Sequence, residues 1–479
     1  MKTLLTTIIA ASLSVGCAML EGEQTTTESG GGGGNSSPST PAPVNSGTWT
    51  KQFGTYGDDD GHDIATDSNG NFYVVGTTRS DRDGNNYNDL FNPAKDYLFL
   101  KKFNGSGVLE WSNNIEINPN YYYYGQHTYK VTTDVNNNIY ISGPNNGNFN
   151  GNPVNNGIFI VKYDNDGNGK WIKNIDYSNN GYYYDSSSDI VINQNGAIYL
   201  SFYSEEYDSN TSNTIRGPKV FKLDTDGNEL VSWQTNHSNN NYTCGGYNNN
   251  FDLTTDINDN IIITSGNEDS CGGSSSYRYI SKFYDNGTEQ WTQQLQTRPN
   301  NSCGGYYGEP GSGGLVSDSY GNIYVIGSGD LDNSSSNSMN CGSESQDFFI
   351  VKYSENGTQI WSDQIGSKYY NYEGYDNGIS VTVDSSDNVF AMGTTEGAFD
   401  GTTNYGGRET FVVKYDSSGQ LNWIEQFGTT ADDRGSSITM DNAGNVLVTG
   451  STNANLDNNL NSGGYDVFIV KIDTNGNKM

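Results

Sequence analysis

Basic residues are few. Lys and Arg number 24 against 56 Asp and Glu, a formal charge of −32 over 479 residues. A surface of that sign repels phosphate backbones, so nucleic acid is not expected as a partner. Histidine is rarer still, with His62, His127 and His237 the three copies. No His-Glu-x-x-His, Gly-x-Ser-x-Gly or Gly-x-Gly-x-x-Gly occurs, which leaves zinc-peptidase, serine-hydrolase and dinucleotide readings without a motif. Beyond the first twenty residues no stretch is apolar enough to span a membrane as a helix. What the chain has instead is 60 Gly, 35 Tyr and many Asn and Ser. Turn formers separated by short aromatic and β-branched runs point to all-β structure.

The first residues are the exception. Lys2 precedes an uncharged apolar run from Leu4 to Val15, too short for a transmembrane helix but suited to a signal peptide. It ends Leu13-Ser14-Val15-Gly16-Cys17, which resembles a bacterial lipobox with its Leu one place early. Residues 1–16 are therefore expected to be a lipoprotein signal peptide, with Cys17 diacylated and held in the lipid bilayer. An ordinary signal peptide with an incidental cysteine is the alternative. Ala18 after the cysteine resembles the outer-membrane default of a Gram-negative envelope. Residues 17–46, with Gly30 to Gly34 and three prolines, read as a tether reaching roughly 30 Å as a coil and about 100 Å fully stretched.

From residue 47 the chain repeats. Trp49, Trp111, Trp171, Trp233, Trp291, Trp361 and Trp423 are spaced by 62, 60, 62, 58, 70 and 62 residues, and there is no other tryptophan. Between them recurs a block such as Asp67 to Gly76, with copies at Asp134, Asp318, Asp384 and Asp441. Weaker copies begin at Asn193, ending in Phe202, and at Asp256, which reads as one residue longer and calls for a bulge. A second block, as in Asp347 to Tyr353, carries a lysine in every unit: Lys102, Lys162, Lys222, Lys282, Lys352, Lys414 and Lys471. A glycine follows five residues after each lysine.

Each unit reads as four antiparallel strands, the third buried on both faces and the fourth carrying Trp. Gly227 to Trp233 is two residues longer than its equivalents, a shift that keeps the Trp on the same face. Seven such units describe a seven-bladed β-propeller over residues 47–479. A solenoid would need no complement between its ends. Here the Trp49 strand supplies what the unit ending at Met479 lacks, so it is expected to join the last blade and close the ring. The blocks Asp-x-x-Gly-Asn-x-Tyr-Val-x-Gly and Phe-Ile-Val-Lys-Tyr-x-x-x-Gly-x-x-x-Trp resemble the bacterial SBBP β-propeller repeat family. That resemblance implies an extracytoplasmic propeller without shared catalytic residues. The Gly-to-Trp spacing is also similar to quinoprotein-type propellers, but the adjacent cysteine pair of the quinone enzymes is missing. Asp285 to Thr288 resembles the sialidase Asp-box, but Gly precedes Trp by four residues rather than three.

Seven symmetric lysines argue for structure, and Lys102 and its equivalents are expected to pair with Asp67 and its equivalents. Function is expected on the face that carries the links from strand two to three and from one unit to the next, because every long insertion falls there. These links hold Tyr121, Tyr122, Tyr123, Tyr124, Tyr182, Tyr183, Tyr184, Tyr306, Tyr307, Tyr369, Tyr370, Tyr372 and Tyr375. Loops of Tyr, Asn, Ser and Gly have the composition of paratopes, and tyrosine also stacks on sugar rings. Solvated low-complexity loops are the bland alternative. Cys244, Cys271, Cys303 and Cys341 lie on the same face, and the expected pairs are Cys244–Cys271 and Cys303–Cys341, with a four-thiolate zinc site as rival. Asp58-Asp59-Asp60 and Asp432-Asp433 carry too little specificity for an acid–base assignment. Asp164 to Gly167 and Asp224 to Gly227 suggest calcium loops, but no Glu stands at the twelfth position, so plain turns are favoured and no cofactor is assigned.

The expectation is a monomeric, lipid-anchored, non-enzymatic propeller at the outer membrane or cell surface, binding a glycan or protein. The alternatives are an envelope glycan-processing enzyme with acidic catalytic residues and an outer-membrane assembly scaffold.

Overall fold

The computed structural model describes residues 49–80, 95–117, 129–145, 148–149, 152–153, 157–176, 188–208, 213–235, 251–268, 276–295, 312–329, 347–369 and 372–479. They form a seven-bladed β-propeller with four antiparallel strands per blade. In blade 1 the strands are Asp59–Thr66, Phe72–Ser80, Lys95–Phe103 and Leu109–Ile117. The innermost strands of the following blades are Lys130–Thr133, Ser188–Ile192, Leu253–Thr255, Ser312–Ser317, Asp376–Val383 and Asp433–Met440. Each touches the next, and the last touches the first, so the ring is closed.

Closure uses both ends of the repeat array. Lys51–Phe53 pairs antiparallel with Asp466–Ile472 as the outer strand of blade 7, in the register Lys51 to Ile469 and Phe53 to Val467. The Trp49 N–H donates to the carbonyl of Met479. The third strand is buried along its length, as Asp466–Ile472 illustrates, because it lies inside a sheet whose faces both meet neighbouring blades. The core is accordingly divided into seven apolar clusters, one per junction. At the closing junction Trp49 and Phe53 join Phe72, Phe99 and Phe103 of blade 1 and Val467 and Ile469 of blade 7.

Two local findings revise the sequence reading. Blade 4 has no bulge in its first hairpin: Leu253, Thr254 and Thr255 pair in register with Ile263, Ile262 and Ile261. Ser265, opposite Tyr279, takes the place that Gly76 takes opposite Phe99, so the block is not lengthened and Gly266 lies one residue beyond it. Bulges occur instead in the first strands of blades 1, 5, 6 and 7. There the strand folds over a glycine; a Cβ on Gly76 would lie 2.2 Å from the Asp60 carbonyl, and one on Gly450 2.1 Å from that of Arg434. Blades 3 and 4, with Phe202 and Ser265 at that place, run without a bulge. The second finding concerns the sheet of blade 1, which gains two short strands, Asn148–Phe149 and Asn152–Pro153, from the connection inside blade 2.

Candidate functional site

One face of the ring is made of short turns that satisfy themselves. Asp67 accepts the backbone N–H groups of Asn69 and Asn71 at 2.9 Å and the Asn71 amide at 2.9 Å. The same arrangement recurs at Asp134, Asp256, Asp318, Asp384 and Asp441. The calcium-like loops behave alike. Asp164 accepts from Asp166 and Asn168 and meets Lys170 at 2.6 Å, and Asp224 accepts from Asp226 and Asn228. These carboxylates are spent on the turn itself.

The tryptophans lie just inside this face and each acts across a junction. A Cβ on Gly107, Gly167, Gly227, Gly287, Gly357, Gly419 or Gly476 would meet the ring of Trp49, Trp111, Trp171, Trp233, Trp291, Trp361 or Trp423 of the preceding blade, at 3.1 Å or less. All seven glycines have positive φ, from 76° to 92°. The fixed spacing thus yields a bare, left-handed turn on which the neighbouring indole sits. Trp111, Trp171, Trp291 and Trp423 also donate to a carbonyl of that turn at 3.0–3.2 Å. Trp233 pairs with Val220 rather than standing opposite Lys222, two residues from the usual register, and still covers Gly287.

The lysines divide by context. Lys282 meets Asp256 at 2.8 Å, Lys352 meets Asp318 at 3.2 Å, Lys471 meets Asp441 at 2.7 Å, and Lys162 lies 4.0 Å from Asp134. Lys102 departs from the expected pairing. It meets Glu110 at 3.0 Å and the Asn165 side chain of blade 2, while the Tyr73 hydroxyl donates to Asp67 at 2.9 Å. In blade 3 the position of Asp67 is taken by Asn193, an amide that offers no charge, and Lys222 crosses to Asp285 at 2.9 Å. Lys414 donates to the Thr474 carbonyl at 3.2 Å.

Of the residues named for the insertion face from the sequence, several lie outside the described residues: Cys244, Cys271, Cys303, Cys341, Tyr121, Tyr122, Tyr123, Tyr124, Tyr182, Tyr183, Tyr184, Tyr306, Tyr307, Tyr370, His127 and His237. Cys17 is also among these. The backbone of Tyr369 and Tyr372 forms a short ribbon, Lys368–Tyr369 with Tyr372–Glu373. The described insertions present Tyr56, Tyr375, Tyr405 and Leu460 to solvent, at 69%, 37%, 55% and 78% exposure. Beside them Arg434 lies over the Tyr465 ring at 5.2 Å and pairs with Asp432 at 2.8 Å. His62 is engaged with Thr77 at 3.0 Å and packs on Tyr129. Among the described residues no three His, Cys, Asp or Glu side chains converge as a metal cluster.

The inner wall carries a charged layer that sequence reasoning missed. The residue four before each turn Asp or Asn occupies one level of the ring: Asp63, Lys130, Asp189, Asp252, Gly314, Ser380 and Ser437 in blades 1 to 7. That fixed offset was the available signal. Asp63 bridges its neighbours, accepting from Val131 N at 2.8 Å and Ser437 Oγ at 2.5 Å. Asp189 accepts from Leu253 N at 2.7 Å. Lys130 cannot accept, and the Ile190 N–H beyond it is taken by Asp189 at 2.9 Å. Burial works against the Lys130 charge, but Asp63, Asp189 and Asp252 outweigh it and hold the ammonium above its ordinary pKa. Burial raises the Asp63 carboxyl, and burial followed by the Asp189 charge raises Asp252 well above the carboxylate range.

Two stretches, 48–82 and 422–457, match the model of the family described as "SBBP: Beta-propeller repeat". The chain carries SBBP beta-propeller repeats. Each matched stretch starts at the Trp strand and runs into the first two strands of the following blade, so the SBBP unit straddles a junction. No curated protein matches the chain. Among solved structures it is similar to an alpha-L-arabinanase of Penicillium chrysogenum, at 11% identity over 74% of this chain and 96% of that one, with a TM-score of 0.42. It is also similar to the beta-propeller domain of the Trilobed protease from Pyrococcus furiosus, at 11% identity over 89% and 96%, with a TM-score of 0.45. The polysaccharide lyase Uly1 gives 9% identity over 90% and 93%, with a TM-score of 0.44. Such identities carry no chemistry across.

Proposed function

We propose that this SBBP-repeat propeller is a non-enzymatic binding module, anchored by lipid at Cys17, that engages a glycan or protein through its insertion face. The one-sidedness of the ring supports this most. Its turn face repeats two short, self-satisfied turns in every blade, whereas the long, variable connections all leave from the other face. Where those connections are described, exposed Tyr56, Tyr375 and Tyr405 offer rings for stacking beside polar neighbours. Glycan-array and cell-surface pull-down measurements on the full chain test the reading. Saturable binding lost in a Tyr56→Ala/Tyr405→Ala double variant is the expected result, and no ligand in either assay removes its support. Loss of metabolic fatty-acid labelling in Cys17→Ala tests the anchor.

The Asp189 and Asp252 carboxyls beside Lys130 favour a second reading, a glycan-processing enzyme, because a carboxyl raised by burial beside a second acid is the raw material of acid–base hydrolysis. Polysaccharide turnover abolished by Asp252→Asn would select it over the binding module.

A further inference from the structure

Three successive junctions, 5/6, 6/7 and 7/1, carry buried acid at the insertion-face end. Their link sequences share Gln-x-Gly-Thr/Ser: Gln364 to Ser367, Gln426 to Thr429 and Gln52 to Thr55. In each, an Asp at the start of the next blade's first strand accepts from the link's Thr or Ser. Asp59 takes Thr55 N at 2.6 Å and Thr55 Oγ1 at 2.8 Å; Asp433 takes Thr429 N at 2.5 Å and Thr429 Oγ1 at 2.8 Å; Asp376 takes Ser367 N at 2.6 Å. A second acid comes from the third strand of the preceding blade, or the residue before it, and is held by the link's glutamine. These pairs are Gln52 with Asp466 at 3.1 Å, Gln426 with Glu409 at 2.6 Å and Gln364 with Asp347 at 2.8 Å.

The link glycine admits the second acid. A Cβ on Gly54 would stand 2.0 Å from Asp466 Oδ1 and 3.1 Å from Asp59 Oδ2, so both carboxylates converge on the same point. Gly366 stands against the Asp347 carboxylate, and Gly428 against the Glu409 methylenes and Asp433 Oδ2. Asp376, Glu409, Asp433 and Asp466 are wholly buried, and Asp59 nearly so. Among the described residues no Lys or Arg forms an ion pair with these five. Asp376, Asp433 and Asp466 each keep one buried oxygen without a hydrogen-bond partner.

Buried carboxylates are stable when a counter-charge or a shared proton neutralises them. We propose that each of these three junctions binds a hard divalent cation of the calcium type between its two carboxylates. The oxygens on hand are Asp466, Asp59 and the Thr55 hydroxyl at 7/1, Glu409, Asp433 and the Thr429 hydroxyl at 6/7, and Asp347, Asp376 and the Ser367 hydroxyl at 5/6. A mixed oxygen set completed by water suits calcium, which accepts irregular coordination, better than magnesium. The cation would tie the third strand of one blade to the first strand of the next, reinforcing the arc in which the ring closes.

The rival outcome is proton sharing. Burial raises Asp59, Glu409 and Asp433, and burial together with the charge of Asp347 brings Asp376 to about 6. Calorimetric titration of chelator-treated full-length protein with calcium at about pH 7.5 separates the two. The expected result is saturable binding of three ions, a Tm that rises with calcium, and one ion fewer in Asp466→Asn or, at another junction, Asp376→Asn. The second variant gives the same readout if the first does not fold. Absence of calcium binding, or an ion count unchanged in the folded variants, overturns the proposal.

Discussion

Lys282 shows what the lysine column contributes residue by residue. It is buried against a buried Asp256 at 2.8 Å and also donates to the Glu355 carbonyl of blade 5 at 3.2 Å. Removing one partner strands the other charge in a poorly solvated place, so Lys282→Met should cost about 3–5 kcal/mol. Lys414, which donates to a carbonyl without a buried carboxylate pair, should cost less when changed to Met. Urea denaturation of the two variants decides it, and equal losses would mean that the column works by packing alone. Gly476 gives a second residue-scale test. Ala there meets both a φ of +89° and the Trp423 ring at 2.8 Å. The left-handed backbone alone is worth about 1–2 kcal/mol, and a Gly476→Ala variant as stable as the parent would show that the indole yields freely. That a lysine recurs is plain in the sequence. Its partner is not, because the choice depends on Asn193 replacing Asp in blade 3 and, in blade 1, on Glu110 lying 3.0 Å from Lys102.

At the scale of elements the outer strand Lys51–Phe53 decides whether the ring is closed by pairing or merely by proximity. Without it the Asp466–Ile472 strand would present an unpaired edge, and Gly107 would lose the Trp49 ring. Deleting residues 49–54 should lower Tm and produce sedimenting aggregates. A deletion that melts like its parent in analytical ultracentrifugation-clean samples would refute closure by this strand. The Trp column makes this element legible, since one residue type marks every outer strand and the count leaves one strand at the front. The bulges were not legible in the same way. In blade 4, Ser265 next to Gly266 looks like an insertion until the pairing with Tyr279 fixes which of the two lies opposite. The acid pairs were missed for a related reason. Asp433 and Glu409 belong to different blades, and reading unit by unit never places them together, although the shared Gln-x-Gly-Thr/Ser links mark all three junctions.

Among the described residues the propeller is electrostatically two-sided. On the turn face, Asp164 and Asp441 are lowered despite some burial, by Lys170 and Asn168 and by Lys471 and Asn445 respectively, and Asp224, Asp416 and Asp473 are lowered by hydrogen bonds within their turns. Along the inner wall and the insertion-face end, Asp63, Asp252, Asp59, Asp376, Glu409 and Asp433 are raised, with burial the leading cause. The two groups act on stability with opposite sign. Lowered carboxyls stabilise the fold above their unfolded pKa, and that contribution disappears as pH falls through their folded values. Raised carboxyls stabilise it below the unfolded pKa, and the contribution is lost as pH rises through their folded values, near 6 for Asp376. With divalent cations chelated, stability should therefore peak at about pH 4 and decline on both sides. Asp252→Asn removes a raised carboxyl beside Asp189 and should flatten the alkaline decline while leaving the acid limb in place. Urea midpoints measured across the range, for parent and variant, give the answer: a parent profile level from about pH 5 to about pH 8 would show that the inner-wall and junction carboxyls are ionised at no cost to the fold.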